Sequence, residues 1–270
     1  MESIGFTLFR AALAAYAVSG MAFVISMIFG NRMLGRLGSV LTLAGVVLNG
    51  TSLVLRGLEA GHAPFTNLYE TLSFFSFLLA LGLLIIRHRT NMKALGAFVM
   101  PLVFLAMVIG LVNYTEPGEL VPALRSFWLS VHVPIAILSY ALFALAFVGG
   151  ILYLIRERSV GGSSVAHLEE LRPFDIFAYR TIAAGFILLT MAIVTGAVWA
   201  EAAWGSYWSW DPKETWSLVT WMVYAFYMHA RMVRGWTGRR SAAIAVAGFG
   251  AVLFTYFGVT YLLSGLHAYG

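Results

Sequence analysis

Most of the chemistry this 270-residue chain can offer rests on its six histidines and eight tryptophans. Five of the tryptophans, Trp199, Trp204, Trp208, Trp210 and Trp216, fall within residues 199–216, WAEAAWGSYWSWDPKETW, among Glu201, Asp211, Lys213 and Glu214. Indole joins a large apolar face to one N–H that must find a partner. So dense a run therefore suits either an aromatic belt at a bilayer boundary or a platform on which something flat can stack. The belt needs no ligand; the platform does. Cysteine is absent, so disulfides, thiolate metal sites and thiol catalysis are excluded.

The elements that must position these residues lie in a membrane. Hydrophobic residues make up 60% of the chain and charged residues 11%, and the mean hydropathy is +0.85, far from a soluble domain. Apolar segments fall near residues 8–30, 37–57, 68–86, 94–114, 127–155, 180–200, 214–230 and 241–265. Each approaches the roughly 20 residues that cross about 30 Å of hydrocarbon as a helix. The expectation is an all-α, polytopic transmembrane helix bundle of about eight spans, in which the third and seventh segments have the shortest uncharged cores. Arg10 and the length of the first apolar run argue against a cleaved signal.

Charge sets the expected orientation. With eight spans, Arg32, Arg36, Arg87, Arg89, Lys93, Arg156, Arg158, Arg172, Arg180, Arg231, Arg234, Arg239 and Arg240 share one side, leaving Arg10, Arg56, Arg125 and Lys213 for the other. The first set is then cytoplasmic, and both termini and the Trp-rich loop face outward. The net charge of +5 reflects this distribution and implies no nucleic acid.

Helix arithmetic sorts the histidines. Asp211, Pro212 and Glu214 read as N-cap, N1 and N3 of the seventh helix. Asp211 then stands about 30 Å above Arg231, with His229 only about 3 Å above it. His132 lies about 36 Å up its helix from Arg156, and His267 about 39 Å up from Ser241, so both emerge near the height of Asp211. A single intramembrane histidine such as His229 can equally be hydrogen-bonded to a neighbouring helix. His88 and His167 sit among charges in cytoplasmic loops and read as solvated. His62 is external and could serve the platform or a local structure.

Two further stretches stand out. In GHAPFTNLYETLSF, residues 61–74, Asn67 and Glu70 fit a capping box at the mouth of the third helix. The linker at 156–175, with Gly161-Gly162-Ser163-Ser164, reads as a flexible connection followed by a short surface helix.

WGSYWSWDPKETWSL resembles the tryptophan-rich "WWD" signature of the haem-handling superfamily of cytochrome c assembly, and its DPKETW form is similar to the CcsA (ResC) branch of system II. Residues 61–74 resemble a second segment of that family. The likeness thus runs from about residue 60 to the end, leaving residues 1–60 as scaffold helices of what reads as a single membrane domain over 1–270. It implies that His132 and His267 are external axial ligands of haem b iron and His229 an intramembrane one. It further implies that the Trp loop and Asp211 border the haem, and that haem moves outward to be joined to the C-x-x-C-H segment of apocytochrome c. A CcsB (ResB)-like membrane partner is implied, with this chain as the CcsA-like half of a cytochrome c synthase in a bacterial cytoplasmic or thylakoid membrane.

The residues support that reading independently. Two neutral imidazoles at one level beside a flat aromatic surface are what six-coordinate haem iron requires. His229 has no mate at its own depth in this chain, so a partner helix would have to supply one. Arg56, Arg125 and Lys213 are the external cations available to pair with propionates. The alternatives are a b-type electron-transfer cytochrome, a haem exporter without ligation activity, and a cofactor-free transporter, which would need polar groups threading the bilayer.

Overall fold

A computed structural model describes residues 3–89, 92–160, 165–263 and 265, with backbone only at 160 and 165–168. The described secondary structure is helical: α1 (Ile4–Phe29), α2 (Arg32–Ala60), α3 (Leu68–Arg89), α4 (Leu95–Val112), α5 (Phe127–Val160), α6 (Val165–Trp204), α7 (Pro212–Met232) and α8 (Arg239–Leu253). α8 runs on through a π segment, Phe254–Gly258, into α9 (Val259–Leu262). Counting Arg239–Leu262 as one, seven helices are long and apolar enough to cross a membrane. The eighth, α7, has 21 residues and so spans about 30 Å. Lys213, Glu214, Ser217, Thr220, His229 and Arg231 dilute its apolar character. The third segment, expected to be marginal, is among the seven.

The chain divides into two compact units, Met1–Leu124 and Arg125–Gly270. In the first, α1 packs on α2 and α4, and α3 on α2 and α4. The α1–α2 turn is made by Gly30 in the left-handed region (φ 67°), followed by Asn31, whose Oδ1 accepts the N–H groups of Met33 and Leu34. Inside, several polar groups are paired, as an apolar surround favours. Ser73 Oγ donates to Asn49 Oδ1 at 2.7 Å, Asn49 Nδ2 donates to the Ser73 carbonyl at 3.1 Å, and Ser52 Oγ donates to the Gly5 carbonyl at 2.7 Å.

This unit corrects one expectation. Arg56 is no external cation: it is buried, its Nε donates to Glu70 Oε1 at 2.9 Å and its NH2 to the Thr115 carbonyl at 2.8 Å. A guanidinium committed to a buried carboxylate is not available to a propionate. Asn67 caps α3 as expected, its Oδ1 accepting Glu70 N–H at 2.9 Å. The box is not closed on Asn67, however, because Glu70 Oε2 accepts the Thr66 N–H and hydroxyl, both at 2.9 Å. His62 Nδ1 lies 3.1 Å from the Ala63 carbonyl, a local contact. His88 is exposed in the last turn of α3.

In the second unit α5 packs on α6 and α8, and α7 on α8 and α6. The expected short surface helix is instead the beginning of α6, which runs unbroken for 40 residues through Pro173. A proline removes one donor and need not end a helix whose other hydrogen bonds persist. Residues 161–164 lie outside the described residues, and for His167 only the helical backbone is described. Phe143 and Tyr224 are fully buried here, and their rings stack 3.7 Å apart at 5°. At one end Arg231 donates to both carboxylate oxygens of Asp175, at 2.8 and 2.6 Å, and Gly238 N–H donates to Asp175 Oδ1 at 3.0 Å. This ion pair ties α6, α7 and the start of α8 together.

Candidate functional site

The other end of the second unit carries the tryptophan motif. Trp199 and Trp204 belong to the last turns of α6, Gly205 (φ 76°) ends that helix, and the chain crosses to α7 through residues 206–211. α7 starts as its sequence dictates. Asp211 Oδ2 accepts Lys213 N–H at 3.0 Å, Pro212 takes the first helical position, and Glu214 Oε2 accepts Asp211 N–H at 3.2 Å, completing the capping box.

Glu214 also reaches past the cap, accepting Ser209 N–H at 2.8 Å. Its carboxylate therefore grips the backbone on both sides of Trp210, which has φ of 60° and is the one described non-glycine residue with positive φ. That conformation costs about 1–2 kcal/mol for a side chain with Cβ. Thr215 Oγ1 adds a hydrogen bond to the Trp210 carbonyl at 3.2 Å. The consequence is an indole left 70% exposed, edge-on to Trp208 with ring centroids 5.7 Å apart.

The five tryptophans thus fall into different settings. Trp208 and Trp210 stand on the loop, with Trp210 outermost. Trp216 packs on Phe254 of the π segment at 4.1 Å, and its carbonyl accepts Thr255 Oγ1 at 3.1 Å and Thr220 Oγ1 at 2.9 Å. Trp199 is buried and lies beside His132, with ring planes 11° apart and centroids 6.1 Å apart; Trp204 meets Trp199 at 63°.

His132 sits six residues into α5 and is half-buried. Its Nδ1 lies 2.8 Å from the Ala192 carbonyl of α6. A carbonyl can only accept, so Nδ1 carries a proton, and in the neutral ring the lone pair is on Nε2. This is the tautomer, and the kind of backbone support, that a ligating imidazole needs. His229 is far from this level. It lies eighteen residues after Asp211 in α7, about 27 Å along the axis, two residues from the Arg231–Asp175 ion pair. It is exposed with Met222 and Phe226 on one face, while Thr220, Tyr224, Tyr227 and Ala230 are buried on the other. His267 lies outside the described residues. Gly265, two residues before it, is described and lies against the α7 cap: a Cβ there would be 3.0 Å from Pro212 Cδ.

The model of the cytochrome C assembly protein family matches residues 65–267, a span that includes His132, His229, His267 and the whole Trp-rich stretch. The chain belongs to that family. Its relatives include proteins named cytochrome c biogenesis protein CcsA. The one from Guillardia theta is 40% identical over 80% of this chain and 79% of its own length. That from Prochlorococcus marinus strain MIT 9303 is 37% identical over 99% and 95%, and that from Pyropia yezoensis 34% over 100% and 98%. A solved structure of the cytochrome c haem lyase CcmF shares the fold, with a TM-score of 0.68 at 17% identity over 98% of this chain and 47% of that one. This CcsA-like chain is an integral membrane protein of cytochrome c biogenesis.

Sequence reasoning reaches Trp199 on the α6 side of the site but misses Ala192 and Gly196. Ala192, Gly196 and Trp199 occur at spacings of four and three, one face of a helix. That periodicity was available, but a backbone carbonyl and a glycine carry no side-chain signal. It also missed Thr255 and the π segment, a type of helix irregularity that recurs at functional sites, and the Trp221 indole N–H, which donates to Thr190 Oγ1 at 2.9 Å.

Proposed function

We propose that this chain receives haem b within the membrane at His229, passes it to an extracytoplasmic site at His132 and His267 beside the Trp-rich loop, and presents it there to apocytochrome c. The observation that carries the reading is the state of His132. A proton is held on Nδ1 by a buried carbonyl, which in the neutral ring leaves the lone pair on Nε2, and the ring sits at the end of the unit that carries the tryptophan motif. These residues fit haem iron, which takes neutral imidazole on its axis and apolar, aromatic surroundings on its faces.

Haem is the cargo. Attachment is an addition in which each Cys sulfur of C-x-x-C-H forms a bond to a vinyl carbon and the thiol proton ends on the neighbouring carbon, with no net redox change. The protein contributes position: confinement of thiols and vinyl edge lowers the barrier without a protein nucleophile. Asp211 and Glu214 act by fixing the loop. The role of meeting propionates, which the sequence suggests for Arg125 and Lys213, stays with those two residues in this reading. The exposure of His229 supports a second imidazole from a CcsB/ResB-like partner helix, which makes this chain the CcsA-like half of a cytochrome c synthase.

The test is the absorption spectrum of the protein co-purified with its partner, compared for wild type, His132→Ala, His267→Ala and His229→Ala. Either outer substitution should alter the outer haem signal, with partial recovery on adding imidazole, and loss of His229 should deplete haem at both sites. Unchanged haem content and spectra in all three variants would end the ligand assignment.

A further inference from the structure

Trp199 stands apart from the other tryptophans in its relation to His132, and geometry limits what it can do. An imidazole bound to iron through Nε2 contains the Fe–N axis in its ring plane, so the porphyrin is perpendicular to that plane. The Trp199 indole lies 11° from the His132 ring plane and therefore stands within 11° of perpendicular to any porphyrin bound by His132. An indole so placed cannot lay its face on that macrocycle. It lies alongside the imidazole.

Two further α6 groups meet the same ring. The Ala192 carbonyl takes the Nδ1 proton at 2.8 Å and also accepts Thr195 Oγ1–H at 3.2 Å. Gly196 leaves the space the ring occupies: a Cβ there would lie 2.8 Å from His132 Cε1 and 2.9 Å from Nδ1, closer than van der Waals contact permits. Positions 192, 196 and 199 form one stripe of α6, so a single rigid helix fixes the ring by a hydrogen bond, a close-packed backbone and a parallel aromatic wall.

We propose that this stripe is an imidazole slot that sets the rotation of the His132 ring about its bond to iron. Gly196 and Trp199 are then positioning residues for ligation, and Trp199 is not a stacking surface for haem. This rests on the reading that His132 ligates. Fixed rotation matters because the orientation of the axial imidazole planes determines how the iron d orbitals split, and because support of the distal N–H tunes ligand strength and potential.

The experiment uses the complex co-purified with its partner and reads the low-spin ferric haem signal by electron paramagnetic resonance, together with haem retention. The variants are Trp199→Phe, Trp199→Leu, Gly196→Ala and, as a control on the underlying reading, His132→Gly with and without added imidazole. Trp199→Phe keeps a wall and should preserve the signal. Trp199→Leu and Gly196→Ala should shift and broaden it, with haem lost from the outer site about ten- to a hundredfold faster, the range typical of removing support from a metal-binding histidine. Should Gly196→Ala not yield folded protein, the Trp199 pair alone decides. Weaker haem retention with an unaltered signal in Trp199→Leu would mark Trp199 as a stacking surface and overturn the slot. So would unaltered signals in both Gly196→Ala and Trp199→Leu alongside loss of signal in His132→Gly. A signal unchanged in His132→Gly would instead remove the ligand reading, and the slot with it.

Discussion

The Glu214 carboxylate should be the clasp of the tryptophan loop, and Glu214→Ala should open it locally without unfolding the unit. The carboxylate accepts Ser209 N–H at 2.8 Å and Asp211 N–H at 3.2 Å. At a partly solvated site each such bond is worth about 1 kcal/mol, so the pair contributes about 2 kcal/mol, or a factor of roughly 30. Trp210 at φ of 60° holds a further strain of about 1–2 kcal/mol that is released when the loop opens. That strain weighs on the closed loop with or without Glu214, so loss of the clasp shifts the balance toward the open loop by about 2 kcal/mol. Amide hydrogen exchange reads this directly: in Glu214→Ala the amides of Ser209 and Asp211 should exchange about 30-fold faster, with α5 and α6 unaffected. Trp210→Gly removes the strain and should recover part of the protection in the Glu214→Ala background. Equal exchange in wild type and Glu214→Ala, or no recovery with glycine, would refute the argument.

Three other outcomes follow from the packing. Because Arg56 and Glu70 are buried and paired, Glu70→Ala or Arg56→Leu alone should destabilise the first unit by about 3–5 kcal/mol, while Arg56→Leu with Glu70→Leu should cost much less; thermal unfolding in detergent compares them. Asp175→Asn leaves the half-buried Arg231 without its carboxylate, and should make residues 233–238 sensitive to protease while leaving the His132 end intact. Thr255→Val removes the hydroxyl that bonds the Trp216 carbonyl and sits 2.8 Å from Thr220 Oγ1. A cost of about 1 kcal/mol and an altered near-ultraviolet circular dichroism from Trp216 are expected.

What could be read from sequence was what is local. The cap of α7 depends only on Asp211, Pro212 and Glu214 in consecutive order, and the structure forms it as spelled. The helices follow from apolar runs, but the full length of α6 does not, because a polar stretch with Pro173 reads as an interruption although helical hydrogen bonding continues through it. That Arg56 is committed to a partner is not legible locally, because Glu70 is fourteen residues away and reaches it only through the fold. The tryptophans could be counted but not sorted. Which indole lies beside His132, which meets Phe254 and which stays exposed depends on the rotation of each helix against its neighbour, and composition holds no trace of that. The support of His132 was hidden for the same reason, since Ala192 acts through its backbone.

The most direct measurement of the central claim is transfer. The complex, purified with its haem and reduced, is mixed with a reduced peptide bearing C-x-x-C-H, and the peptide is followed by mass and by absorption after denaturation. The account predicts that haem leaves the complex and appears covalently bound to the peptide, more slowly when His132 or His267 is replaced. Haem that stays stoichiometrically with the complex and cycles reversibly between ferric and ferrous states, with none on the peptide, would contradict it and identify an electron-transfer cytochrome instead.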